Sequence, residues 1–178
     1  CTRLAVDIVS GIPVEQLDVT ARVVKPGRRT AIVEATISQG DRLLARASSQ
    51  WLADDGAAPP AVDATLPIRP GVRADPGSHP DMEYPRPGFN ADGVDLRILE
   101  GSTEESGPGR IWIRLDHQLV SDTPTTPFQA ITTLSDLGAA VGWEESPSGG
   151  ALINTDVTLQ LLRRPVGEWF LFESHIVH

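Results

Sequence analysis

The chain has 178 residues, of which 40% are hydrophobic and 22% are charged, so it can build a core and lacks the composition of a disordered protein. Its formal net charge of -9 argues against DNA or RNA as a partner, because nucleic-acid binding needs a basic face. A single cysteine argues against a disulfide framework or a cysteine zinc site, and no apolar run is long enough to span a membrane.

Residues 1–53 have the pattern of β-strands. Leu4, Val6 and Ile8 alternate with less apolar residues, and this period of two is typical of a strand with one buried face. Segments 17–24, 30–38 and 43–52 continue in the same style, and they are separated by turn signals that contain Pro or Gly. The pattern predicts an antiparallel meander with short loops.

Residues 54–90 differ sharply in composition and hold more than half of the fifteen prolines of the chain. Each proline removes a backbone donor and favours an extended conformation in the residue before it. The segment is therefore predicted to be a long linker over the surface.

Residues 91–178 are predicted to form a second unit. Its one convincing helix covers residues 124–141, with Thr125 or Thr126 as the cap and Pro127 in the first turn. Phe128 and Ile131 lie on one face of this helix at helical spacing, together with Leu134. Strands are predicted over residues 94–100, 110–115, 152–162 and 169–177.

A weak internal repeat relates the two parts of the chain. Residues 13–17, with a Pro-Val turn, are similar to residues 165–169, and the strands around each turn have similar hydrophobic patterns. This repeat predicts two similar domains in tandem. Because residues 2–8 have the pattern of a strand with no element before it, and residues 169–177 that of an edge strand, we expect the domain at each end to be incomplete.

Four motifs in the second part, taken together, carry a family resemblance. They are Ile111-Trp112-Ile113-Arg114, the helical Leu134-Ser135-Asp136-Leu137-Gly138, Asn154-Thr155-Asp156, and Pro165-Val166-Gly167-Glu168-Trp169. Their order resembles the second hotdog domain of the acyl-CoA thioesterase II-like double-hotdog thioesterases. Residues 1–53 resemble the closing strands of the first hotdog in the same family.

The resemblance implies an α+β fold, the double hotdog, in which two antiparallel sheets each wrap around a central helix. It implies that residues 1–53 are the C-terminal part of the first hotdog and that 54–90 are a Pro/Gly-rich linker. Residues 91–178 are then the second hotdog without its last strands, so that the chain is truncated at both ends.

The resemblance also implies hydrolysis of acyl-CoA thioesters to the free acid and CoA by carboxylate-assisted attack of water. Asp136 matches the catalytic Asp of the family, and Asn154 stands where the family has a Thr-type residue. The departure at Asn154 replaces a hydroxyl with an amide, and a family Gln is expected beyond His178. The structural alternative is that Asp136 is a solvated helix residue without a catalytic role. For Asn154, it is that the side chain hydrogen-bonds backbone groups at the edge of the sheet.

Several neighbours of these two residues are weighed as supporting groups. Gln129 and Thr132 share the helix side of Asp136, whereas Thr155 follows Asn154 and is expected to face the opposite side of its strand. His117 is interpreted as a turn residue rather than an acid or base. The remaining interpretations are structural: Asp156 as a strand residue, and Trp112, Trp143 and Trp169 as core or interface aromatics.

The expected substrate is acyl-CoA, with no cofactor, no metal and a cytoplasmic location. The histidines lack metal-ligand spacing. The sequence contains no Gly-x-Ser-x-Gly motif, so it does not support a mechanism with a covalent serine intermediate. The family implies a homo-oligomer. A non-catalytic acyl-CoA or lipid-binding hotdog protein is the alternative, because the Asn154 departure leaves it open; a hotdog dehydratase ranks last, since its signature is missing.

Overall fold

The computed structural model describes residues 1–54, 56, 88–100, 107–138 and 153–174. These residues fall into two compact units: the first unit is drawn from 1–56 and 153–164, and the second unit from 88–138 and 165–174. The described residues are mostly β-structure, with two antiparallel sheets and one helix longer than a single turn.

The elements follow in chain order. They are β1 Arg3–Ile8, β2 Asp18–Lys25, β3 Thr30–Gln39, β4 Arg42–Leu52, α1 Phe89–Asp92, β5 Val94–Glu100, β6 Gly109–Leu115, α2 Pro127–Leu134, a 3₁₀ turn Ser135–Leu137, β7 Asp156–Gln160 and β8 Trp169–Ser174. A strand is therefore confirmed in each predicted segment, although β7 is shorter than predicted and the end of the predicted strand 169–177 lies outside the described residues. The predicted linker at 54–90 lies almost wholly outside the described residues, although α1 begins at its end.

The first unit contains a five-stranded sheet in the order β2-β3-β4-β1-β7. The predicted meander is correct for β2, β3 and β4 but wrong for β1, which pairs with β4 rather than with β2. The other edge of β1 pairs antiparallel with β7. Residues 153–164 thus join the first unit, whereas the division by sequence assigned them to the second hotdog. Local periodicity cannot decide this, because it contains no information on which edge a strand joins.

The two faces of this first sheet have opposite character. Directly opposed residues of antiparallel strands share a face, and the registers assemble apolar rows across the sheet. These rows are Val19–Ile37–Ala45–Ile8, Ala21–Ala35–Ala47–Val6–Val157 and Val23–Val33–Ser49–Leu4–Leu159. The other face carries ion pairs, Arg22 with Glu34 at 2.9 Å and Arg46 with Asp7 at 2.7 Å. The alternation, which two bulges interrupt, gives the sheet one largely apolar and one largely polar face.

The second unit contains a three-stranded sheet in the order β5-β6-β8. Its core consists of Ile111 and Ile113 from β6 and Leu134 from α2, all at most 4% exposed. Partly buried side chains complete this core: Val94, Leu96, Ile98, Leu115, Leu137, Phe170 and Phe172. Helix α2 therefore closes one face of this sheet, as a helix-on-sheet layer requires.

Of the predicted helical span 124–141, α2 covers Pro127–Leu134 and the chain continues as the 3₁₀ turn, while residues 139–141 lie outside the described residues. Its most buried side chains are Ala130 and Leu134, and Leu137 packs on the same core. Phe128 and Ile131 of the predicted stripe are half-buried, so they are buried less fully than Leu134.

Candidate functional site

The start of α2 is fixed by a reciprocal cap. The backbone N–H of Gln129 donates to Thr126 Oγ1 at 3.3 Å, and the backbone N–H of Thr126 donates to Gln129 Oε1 at 2.8 Å. Together they form a capping box, and Pro127 occupies the first helical turn, where a missing N–H costs little. Of the two predicted caps, the structure selects Thr126; Thr125 Oγ1 instead accepts from the N–H of Leu119 at 3.1 Å.

The side chains of Gln129 and Thr132, the supporting groups predicted on this helix, form hydrogen bonds within the helix and its cap. The Gln129 side chain belongs to the capping box, and Thr132 Oγ1 donates to the carbonyl of Phe128 at 2.8 Å. Both bonds are local to α2. A supporting role of Gln129 or Thr132 in catalysis stays a prediction.

Asp136 lies in the 3₁₀ turn that follows α2, and its side chain is exposed. The backbone around it is held firmly, because Leu134 is fully buried and Leu137 packs on the same core. Ser174 Oγ of β8 also donates to the carbonyl of Gly138 at 2.6 Å. The carboxylate therefore projects from a well-anchored turn, but in the described structure it is accessible to solvent and does not line the groove described below.

Asn154 and Thr155 immediately precede β7 in the first unit, so the structure assigns them to a different compact unit from Asp136. Asn154 is half-buried and Thr155 is exposed. The carbonyl of Thr155 accepts from the N–H of Ile8 at 2.8 Å, which extends the β1–β7 pairing by one step. Thr155 Oγ1 also lies 3.5 Å from Asp156 Oδ1. The roles proposed for Asn154 and Thr155 stay predictions.

A groove of about 500 Å³ lies in the second unit, where β6 ends and α2 begins. Leu115, Pro127 and Ala130 form its apolar part. Its polar part includes Arg114, Asp116, His117, Gln118, Thr125 and Glu168. The volume falls within the range of roughly 300–1,000 Å³ that is typical of small-molecule sites.

The sequence does not predict this groove, because its pattern indicates only a turn at His117. His117 does lie at a bend, and it is exposed, but it also lines the groove. The local signal was the polar run Asp116-His117-Gln118 between a strand and a capped helix. Glu168 and Gly167 come from a distant part of the chain, so the groove itself could not be found from local sequence.

The face of the second sheet that points away from α2 carries a cluster of stacked arginine and tryptophan side chains. The guanidinium groups of Arg97 and Arg114 lie 4.2 Å and 5.0 Å from the centre of the Trp169 ring. Asp95 pairs with both arginines, at 3.8 Å and 3.2 Å. This cluster fixes Arg114 at the rim of the groove. Trp143 lies outside the described residues.

Among the residues that the structure describes, no group of three or more His, Cys, Asp or Glu side chains could hold a metal ion. In the same part of the chain, no helix has the length and apolar character needed to cross a membrane.

Two family models match successive parts of the chain. Residues 1–51 match the acyl-CoA thioesterase N-terminal domain, and residues 66–178 match the acyl-CoA thioesterase C-terminal domain. The second match alone covers more than half of the chain. No curated protein sequence matches it.

Solved structures agree in fold. A protein of Novosphingobium aromaticivorans described as a thioesterase is 20% identical with a TM-score of 0.61, and this comparison covers 97% of this chain and 65% of that one. The tesB protein of Mycobacterium avium subspecies paratuberculosis is 18% identical with a TM-score of 0.56, and this comparison covers 97% of this chain and 64% of that one. The acyl-CoA thioesterase II TesB2 of Mycobacterium marinum is 15% identical with a TM-score of 0.55, and this comparison covers 97% of this chain and 66% of that one.

The chain thus spans slightly less than two thirds of the length of these three structures. At such low identity the likeness establishes a common fold, while the two domain matches establish the lineage. The chain belongs to the acyl-CoA thioesterase family.

Proposed function

We propose that the protein hydrolyses acyl-CoA thioesters to the free acid and CoA. The observation that carries this proposal is the pair of consecutive matches to the N-terminal and C-terminal domains of acyl-CoA thioesterases. The same observation supports the double hotdog as the complete architecture. A cytoplasmic location and homo-oligomer formation stay predictions.

Asp136 is the proposed general base of this reaction. A carboxylate can take a proton from a water molecule as that water attacks the thioester carbonyl, and the proton then passes to the departing CoA thiolate. The anchored backbone around Asp136 supports the assignment, because a base must be held in a fixed position. Its exposure means that substrate must displace water from the carboxylate, since a solvated base is weakened by competing hydrogen bonds.

Asn154 is proposed to orient the water or the carbonyl. Its amide has both donors and an acceptor, so it can replace one function of the hydroxyl that the family resemblance leads us to expect there. Thr155 is a secondary proposal for the same task. Its hydroxyl lies close to the Asp156 carboxylate.

Thiol release from a panel of acyl-CoA substrates tests the proposal. We expect Asp136→Asn to lower kcat by roughly 10²- to 10⁴-fold, because general-base catalysis contributes about that much. Asp122→Asn is the matched control: Asp122 is also an exposed acid of the second unit, and its φ of 60° tolerates Asn. Equal turnover in wild type and Asp136→Asn would falsify the role of this carboxylate.

A non-catalytic acyl-CoA or lipid-binding protein is the second candidate. Two observations favour it: Asn154 departs from the expected hydroxyl, and Asp136 is exposed. This candidate predicts saturable binding of acyl-CoA with no release of thiol from any member of the panel. Under hydrolysis we instead expect Asn154→Thr to keep or raise the rate, and Asn154→Leu to lower it.

A further inference from the structure

We infer that the groove at the start of α2 binds the uncharged pantetheine arm of the thioester substrate, with His117 and Gln118 as specificity-determining residues. This inference rests on the proposed thioesterase function. It assigns to one part of the substrate a site that contains neither Asp136 nor Asn154.

The charge of the groove argues against the phosphate groups of CoA as its ligand. Arg114 is already engaged, because its Nη2 lies 3.2 Å from Asp95 and 3.4 Å from Asp116. Asp116 and Glu168 place two carboxylates in the lining. In the described lining the arginine is thus outnumbered by two carboxylates, which disfavour a diphosphate by charge repulsion.

The composition of the groove also argues against the acyl tail. Among the described lining residues, the apolar side chains are those of Leu115, Pro127 and Ala130, whereas a long hydrocarbon chain is favoured by a continuous apolar wall. Pantetheine suits the mixture better. It is uncharged and carries two amides, a hydroxyl and a branched pair of methyl groups, so it presents both hydrogen-bonding and apolar surface.

His117 and Gln118 offer the polar contacts for those amides. Both side chains are exposed, and neither makes a hydrogen bond to any other described residue. A Gln amide provides two donors and an acceptor, and a neutral imidazole provides one of each. These two residues can therefore pair with both the N–H and the carbonyl of a pantetheine amide without first breaking a bond within the protein.

Steady-state hydrolysis of three thioesters of the same acid tests the inference: the CoA ester, the pantetheine ester and a simple alkyl thioester without amides. We expect His117→Ala and Gln118→Ala each to raise KM roughly three- to tenfold with kcat unchanged. The increase should be equal for the CoA and pantetheine esters and absent for the alkyl ester. Gln160→Ala, an exposed strand glutamine of the first unit, is the control for Gln118→Ala and should change none of these values.

Three kinetic patterns would overturn the inference while hydrolysis stands. An effect on the CoA ester alone would place the phosphates in the groove, and an equal effect on the alkyl ester would place the acyl part there. Unchanged KM in both variants would also overturn it.

Failure of the proposed hydrolysis can be distinguished from failure of the groove assignment. If wild type hydrolyses none of the three esters, calorimetric titration with pantetheine decides the matter. Binding that is weakened in His117→Ala and Gln118→Ala supports the groove although hydrolysis is refuted, whereas no binding by wild type overturns the groove assignment as well.

Discussion

The two sheets of this protein differ in how their apolar faces are buried. In the second unit α2 packs on the sheet, and Ile113 and Leu134 are fully buried. In the first unit only strands are described, and most of its apolar face is half-buried or exposed, with Val19 70% exposed and Val23 59% exposed. The difference teaches that alternation of apolar residues creates a face, but a second layer is needed to turn that face into a core.

The largest expected effect is on stability, when a leucine is replaced by alanine in each of the two units. Leu134→Ala should lower the free energy of unfolding by about 2–5 kcal/mol, because it leaves a cavity at a fully buried position. Leu4→Ala, on the half-buried apolar face of β1, should lower it by about 1–2 kcal/mol. Urea denaturation followed by circular dichroism measures both. Equal losses would mean that the two faces are buried alike in solution, contrary to the comparison.

An intermediate effect is expected at the cap of the helix that covers the second sheet. Thr126→Ala removes the side-chain acceptor for the N–H of Gln129 and should lower the free energy of unfolding by about 1 kcal/mol. Thr126→Ser keeps the hydroxyl and serves as the control, with little change expected. The same urea transitions measure the effect, and a loss as large in the serine variant would show that the hydroxyl does not act as the cap.

The smallest effect is expected on the polar face of the first sheet, and its sign is opposite. Asp7 and Asp156 are directly opposed across β1 and β7, and like charges in this position repel. Asp156→Asn should therefore raise the free energy of unfolding by a few tenths of a kcal/mol, an effect that salt should weaken. Because Asp7 also pairs with Arg46, Asp7→Asn is the contrasting variant: it removes the repulsion and the ion pair together. A lower stability of Asp156→Asn would contradict this account.

The local elements and the lineage followed from the sequence alone. Period-two alternation fixed the strands of both sheets, because this pattern reflects only the geometry of a strand with one apolar face. The Thr126-Pro127 start of α2 was equally local, since capping depends on residues three positions apart. The motifs from Ile111 to Trp169 were sufficient to place the chain in the acyl-CoA thioesterase family.

Tertiary structure alone decided which edges pair and which side chains meet. The position of β1 beside β4 and the addition of β7 to β1 are pairings between distant segments, and strand periodicity does not specify them. The rotation of α2, which buries Ala130 more fully than Phe128, depends on the sheet that the helix contacts. The groove, too, is lined both by His117 and by Glu168, which lie far apart in the chain. Local sequence sets backbone conformation, but contacts between distant residues are set by the packing of complete faces.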